Sequence, residues 1–448
     1  MPELKIVNRF VYNSVKLFDN TVLPLNVICV SINLLLLQVY NLITIIIVLT
    51  AVFGYINFRF LKLPGTIGIM IISIAASLCI VGIGFFSPDF FKKTTDLIST
   101  IDFHTALMKV MLSFLLFAGA IHIDINLLKK ESVSIITFST MGVLLSTFIV
   151  AGLLFVVAKW FGLSISFIYC LLFGALISPT DPIAVLGILK QSKIPSSLEM
   201  KISGESLFND GVAVVVFTTI YEIIISVGIE NVSFLEIGWL FIKEAGGGIL
   251  FGGILGYLGF WTLRSIDNYI IEVLITLAIV MGGYLLADYL HISGPLAMVV
   301  AGIITGNKSR EEGMSDITRD YIDKFWEMID EVLNAILFLL IGFEMLIVPF
   351  NLNLFWLGCI GIIMVLLARF ISVAVPISIL RFKTVFERNA IPILTWGGLR
   401  GGISVALALS LPKSMFSEVF VSITYIIVLF SIIVQGLSIG KFARKLAA

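Results

Sequence analysis

Apolar runs of about twenty residues recur along almost the whole of this 448-residue chain, and no other feature restricts its fold as tightly. They fall near 41–60, 65–86, 104–122, 132–158, 166–190, 203–229, 237–262, 268–290, 293–306, 323–347, 352–381, 387–411 and 417–440. A helix of about 20 residues rises about 30 Å, the thickness of bilayer hydrocarbon. Hydrophobic residues make up 59% of the chain and charged ones 13%, too little charge to coat a soluble surface of this size. The runs are continuous and do not alternate, which excludes a membrane β-barrel. The pattern predicts an all-α polytopic membrane protein of about 13 transmembrane helices, embedded in the lipid bilayer. Residues 41–448 form this transmembrane domain, with no soluble domain appended. Residues 1–40 form an N-terminal segment, in which 22–39 is an extra helix or an interfacial one.

Basic residues test the count. Alternate connections hold eighteen Lys and Arg, among them Arg59, Lys62, Lys129 and Lys441; the connections between hold four, Lys92, Lys93, Lys159 and Lys413. Basic residues gather on the cytoplasmic side, so the chain is expected in the cell membrane with its C-terminus cytoplasmic. The 29 basic and 29 acidic residues balance to zero net charge and point to no nucleic acid. Cys29, Cys79, Cys170 and Cys359 stand singly in apolar runs, without metal or disulfide spacing, and read as small hydrophobes. No signal peptide and no cofactor is expected.

Helix breakers stand inside two of the runs. The run at 166–190 carries Ser178-Pro179-Thr180-Asp181-Pro182, a charge between two prolines where a helix should be unbroken. The run at 387–411 carries Gly397, Gly398, Gly401 and Gly402 around Arg400. If the first six and last six spans are repeats joined by the seventh, the second repeat enters from the opposite side. The two breaks then occupy matching positions, the fifth span of each repeat. Inverted repeats with discontinuous helices are a common plan of secondary transporters. Asp181 can neutralise the positive end of a half-helix, and Arg400 the negative end in its own span. Freed carbonyls such as that of Thr180 can coordinate a small cation.

The next run opens "KISGESLFNDGVAVVVF". Ser206 and Asp210 are four apart and share one helix face; Glu205 and Asn209 share the adjacent one. Together Ser206 and Asp210 offer an incomplete oxygen cage for a hard cation. In a hydrated cavity the Asp210 carboxyl can also take up and release a proton. Glu205 suits a salt bridge with Arg369, the lone basic residue inside its span. The alternative is that Glu205 and Asp210 merely pair with Arg369 and Arg400.

The stretches "SPTDPIAV", "GESLFNDGVAVVVF", "SGPLAMVVAGIITGN", "FWEMIDEVLNAILFLLIGFEM" and "GGLRGGISVALALSLP" resemble the monovalent cation:proton antiporters, in the prokaryotic NhaP branch. The resemblance covers roughly residues 41 to 440. It implies a homodimer of protomers with a dimerisation domain and a core of six helices, in which two unwound helices cross. It further implies that Asp210 binds proton and cation, with Asn209, Ser206 and Thr180 around it. Asp181 and Arg400 then stabilise the crossing, together with Pro179 and Pro182, and Glu205 with Arg369 forms a supporting bridge. The Asn209-Asp210 pair resembles the electroneutral branch, and one carboxylate trading one proton for one monovalent cation indeed moves no net charge. The implied activity is exchange of H⁺ for Na⁺, also Li⁺, with K⁺ as the alternative cargo. The sequence departs from the pattern at Ala118, in "FAGAIHID", where relatives often carry an acid and where Asp124 lies nearer the cytoplasmic end.

Other acids are weaker candidates. Glu327, Asp330 and Glu331 stand at a helix start, where carboxylates are favoured and where they could also form a cation funnel. Glu344 reads as interfacial, and His104, His122 and His291 as packing residues near span ends. Two functions of other classes compete: a cation channel, and an intramembrane aspartyl protease using Asp181 and Asp210. The second lacks a Gly-x-Gly-Asp signature.

Overall fold

The computed structural model describes residues 25–98, 102–181, 196–227, 234–312, 315–348, 351–382, 386–387 and 389–447. Among them every regular element is a helix, and the only β-type pairing is an isolated bridge between Asp181 and Leu399. Pro182 lies outside the described residues.

The chain divides into a unit ending at Phe53 and a unit running from Gly54 to Ala448. Helix α1, Leu25–Ile56, begins in the first. It runs unbroken through residue 40, so the expected start of the first span falls within a helix. Tyr40, Ile43 and Ile47 are exposed on it, as suits a surface bathed in lipid.

In the second unit the helices follow in order: α2 (Gly65–Gly84), α3 (Pro88–Ile98), α4 (103–121), α5 (Ile125–Trp160), α6 (Phe167–Ile177) and α7 (Ser196–Glu222). Then come α8 (234–264), α9 (Tyr269–Tyr289), α10 (Gly294–Glu312), α11 (Asp316–Glu344) and α12 (Leu352–Leu380). The short α13 (Ala390–Gly397) and α14 (Gly402–Leu409) precede α15 (417–447). Among the described residues nine helices are long and apolar enough to cross a membrane. The other four expected spans are α10 and α11, diluted by polar residues, and the two runs that the sequence breaks, α6 and α13–α14. The chain is a multi-pass helical membrane protein.

Span starts are set by polar caps. Asp124 accepts from the amides of Asn126 (2.7 Å) and Leu127, Asn268 caps α9, Ser315 caps α11 and Asn351 caps α12. Between helices, small residues allow close approach where water supplies no hydrophobic drive. Gly248, Gly252 and Gly256 of α8 lie against the backbone of α10 at Ser293, Ala297 and Ala301, leaving no room for a side chain. π-Turns interrupt α4 at Ala106–Met111 and α8 at Ile242–Gly246, and two more lie in α5 at Phe138–Gly142 and in α15 at Ser431–Gln435. Such local widening is frequent beside functional sites, and the latter two adjoin the crossing described next.

Candidate functional site

Pro179 cannot extend a helix, and α6 stops at Ile177, orphaning the carbonyls of its last turn. α13 stops at Gly397, and α14 begins only after Gly401. The two gaps cross. The amide of Asp181 donates to the carbonyl of Leu399 at 2.8 Å. Arg400, 1% exposed, donates from Nη1 to the carbonyl of Ser178 and to that of Pro179 at 3.0 Å. The Asp181 carboxyl lies over Gly401, at the start of α14, where any Cβ would collide with it.

Each break thus sends its charged side chain to the other helix. Arg400 was expected to offset the negative end within its own span; instead it meets the negative end of α6, and Asp181 meets the positive end of α14. A long guanidinium reaches across a crossing more easily than it folds back onto carbonyls two or three residues away. α15 bonds further groups of the second break. The Arg400 amide donates to Ser431 Oγ (2.8 Å), Ser431 donates to Gln435 Oε1 (2.8 Å), and Gln435 Nε2 donates to the Trp396 carbonyl (3.0 Å). Sequence reasoning missed Ser431 and Gln435; their spacing of four was the available signal.

α7 grips the first break. Asn209 Nδ2 donates to Thr180 Oγ1 at 2.7 Å, the Thr180 amide donates to Asn209 Oδ1 at 3.4 Å, and Ser206 Oγ stands 3.2 Å from Thr180 Oγ1. Three of the four expected cation-site residues therefore meet at one point. The fourth, Asp210, is 9% exposed and lines a cavity of about 1280 Å³ that Thr180 and Asp181 also line. It makes no hydrogen bond or ion pair among the described residues. The expected alternative, a pairing of Asp210 with Arg400, is absent among the described residues; Arg400 turns its Nη1 to the crossing carbonyls instead.

The cavity extends to the connections bearing Lys62, Asp124 and Glu199, all on the side rich in basic residues. Ala118 is part of its wall, as are Glu327, Asp330 and Glu331 on α11. Beside Asp210, Gly211 packs so tightly on Leu296 of α10 that a Cβ would stand 2.6 Å from its Cδ2.

Glu205 and Arg369 form a buried ion pair. Arg369 Nε also donates to the Leu394 carbonyl at 3.3 Å, and its guanidinium fills the space above Gly398. The bridge thus ties α7 and α12 to the second break. A further buried charge went unseen in the sequence, where Lys201 counts as one more basic residue of a connection. Lys201 is 0% exposed, 3.3 Å from Glu131 and 3.8 Å from Glu387, and it donates to Ser197 Oγ at 3.0 Å. Of the histidines, His104 Nδ1 contacts the Ala406 carbonyl at 3.1 Å and His122 lies 3.9 Å from Asp323.

The family model described as sodium/hydrogen exchanger, transmembrane, matches residues 47–445. The Na⁺/H⁺ antiporter NhaP of Pseudomonas aeruginosa is 48% identical over 417 residues, covering 91% of this chain and 97% of its own. The Na⁺/H⁺ antiporter NhaH of Halobacillus dabanensis is 33% identical over 354 residues, 77% of this chain and 84% of its own. The solved structure of the sodium proton antiporter MjNhaP1 from Methanocaldococcus jannaschii superposes with a TM-score of 0.70 at 20% identity, covering 92% of this chain and 98% of that one. At that identity the likeness concerns the fold.

Proposed function

We propose, because the chain belongs to the sodium/hydrogen exchanger family, that it exchanges Na⁺ for H⁺ across the membrane by presenting Asp210 alternately to its two sides. The observation that carries this reading is the Asp210 carboxyl: buried, without a hydrogen-bonded or charged partner among the described residues, at the wall of a large cavity and one residue from the grip on the crossing. A proton or a cation can neutralise it, but not both. Ser206 and Thr180 supply oxygens beside it. Asn209 serves by holding Thr180, since its amide both donates to and accepts from that residue. Na⁺ is the cargo in preference to K⁺, following the relatives named above.

One carboxylate trading one proton for one monovalent cation leaves the charge of the moving part unchanged, so the cycle is electroneutral. The cavity on the basic side then opens to the cytoplasm, where the C-terminus also lies, and the Gly211–Leu296 contact closes the outer route. The membrane is the plasma membrane. α5, α6, α7 and α12 to α15, which pack around the crossing, make up the core; within 41–448 a dimerisation part is interleaved with it, 1–40 is the N-terminal segment, and the working unit is a homodimer.

The test uses proteoliposomes with an internal pH dye. An outward Na⁺ gradient should drive protons inward against their own gradient, Li⁺ should substitute and K⁺ should not, and Asp210→Asn should abolish the signal. Proton flow that never exceeds its own gradient would indicate a pore and overturn exchange.

A further inference from the structure

Three hydrogen bonds reach from the core to the helices around it, and all three lie on the side poor in Lys and Arg. Thr218 Oγ1, on α7, donates to Glu244 Oε2 of α8 at 2.9 Å. Tyr425 Oη, on α15, donates to the Ile341 carbonyl of α11 at 2.9 Å. His104, at the start of α4, contacts the Ala406 carbonyl of α14 at 3.1 Å; a carbonyl only accepts, so Nδ1 carries the proton there. A fourth bond, from the Ile125 amide to Asn307 Oδ1 at 2.9 Å, stands where the chain itself passes from α4 into the core. On the basic side the cavity of about 1280 Å³ lies between the two parts, with α2, α4 and α11 along one wall and α7 and α14 along the other.

Glu244 is held from its own side. It sits in the π-turn of α8, and its carbonyl accepts from the amide of Ser293, just before α10, at 3.1 Å. Its side chain is an arm on a fixed base, and it meets Thr218 two turns of α7, about 12 Å, beyond Asp210. Two of the three bonds can open without stranding a partner. The Thr218 hydroxyl also lies 3.0 Å from the Val214 carbonyl of its own helix, and the Ala406 carbonyl also accepts from the Ser410 amide at 3.0 Å. Such bonds hold while they are made and release easily. We propose that Thr218–Glu244, Tyr425–Ile341 and His104–Ala406 form an outer clasp, which keeps Asp210 turned to the basic side and opens once in every exchange cycle. This inference rests on the reading of Asp210 as the exchange site and of the helices around the crossing as the moving core.

Two measurements on the full-length protein test it. The first is the Na⁺ KM of exchange at each face, taken in right-side-out and inverted membrane vesicles. A protein that rests with its outer side shut shows that side a weakened apparent affinity, set by the small fraction open there. Thr218→Val and Tyr425→Phe should each lower the outer KM roughly fivefold, and together by more, with the inner KM nearly unchanged. Thr218→Ser keeps the hydroxyl and should keep the wild-type value, which separates the hydrogen bond from packing. Equal shifts at both faces, or none at either, would overturn the clasp. The second measurement needs no transport. Val214→Cys, between Asp210 and Thr218 on α7, is placed in a chain whose four native cysteines are replaced by alanine. Its reaction with an impermeant maleimide from the outer face should run roughly fivefold faster once Thr218→Val is added. An unchanged rate would overturn the proposal. Failure of the Asp210 reading shows separately, as full exchange by Asp210→Asn protein.

Discussion

Glu205 and Asp210 stand five residues apart on one helix, both buried, yet their surroundings differ in kind. Glu205 is bonded to Arg369 in a closed pocket beside the second break. Asp210 faces a cavity, and nothing among the described residues partners its carboxylate. A buried charge with a partner holds elements together, and its removal is felt by the fold. A buried charge without one must be neutralised from outside, and its removal is felt by whatever it binds. The contrast supports the proposal that the first carboxylate serves the structure and the second transport.

The sharpest way to break that contrast is to neutralise each in turn. Asp210→Asn should reduce exchange to background while the purified protein keeps its Tm and its elution volume; a folded variant with full exchange would erase the distinction. Arg369→Ala should do the reverse, lowering stability by about 3–5 kcal/mol by stranding Glu205. Replacing Glu205 and Arg369 together by neutral residues should recover part of that loss, and equal Tm values for single and double variants would deny the bridge. Ser206→Ala is a smaller perturbation: deleting one neutral ligand worth about 1 kcal/mol should raise the Na⁺ KM about fivefold with folding intact. In the wild type the same KM should rise as pH falls, by at most about tenfold per pH unit for one competing proton. A KM independent of pH would mean that proton and cation use different groups. The smallest expected effect is none at all. A potential imposed with valinomycin and K⁺ should leave Na⁺-driven exchange unchanged, because no net charge crosses for its roughly 2.3 kcal/mol per 100 mV to act on. Acceleration by voltage would show that a second charge moves.

The breaks were legible because proline and glycine act locally: Pro179 and the glycines around Arg400 must interrupt a helix in any context. Ser206 and Asp210 were legible through helical spacing, and the Glu205–Arg369 pair because each is an isolated charge in an apolar run. What stayed hidden depends on contacts between distant segments. Nothing local says that Arg400 serves α6 rather than its own span. Lys201 looks like one more basic residue of a connection until Glu131 and Glu387 fold over it. Ser431 and Gln435 sit in an apolar run where a hydroxyl or an amide is usually satisfied by its own helix; only the π-turn frees them to hold the second break.

The reciprocal crossing also sets a timetable for biogenesis. Ser178 and the arginine that caps it lie 222 residues apart. At about 5–20 residues per second a ribosome needs roughly 10–45 s to traverse that distance. Throughout the interval the orphaned carbonyls of α6 and the amide of Asp181 sit at membrane depth without their native partners. The first repeat therefore cannot complete its own structure, and the late arrival of Leu399 and Arg400 commits the chain to its final topology. Nascent chains halted before Arg400 should remain bound to insertion chaperones or be cleared by membrane proteases, while those extended through α15 escape.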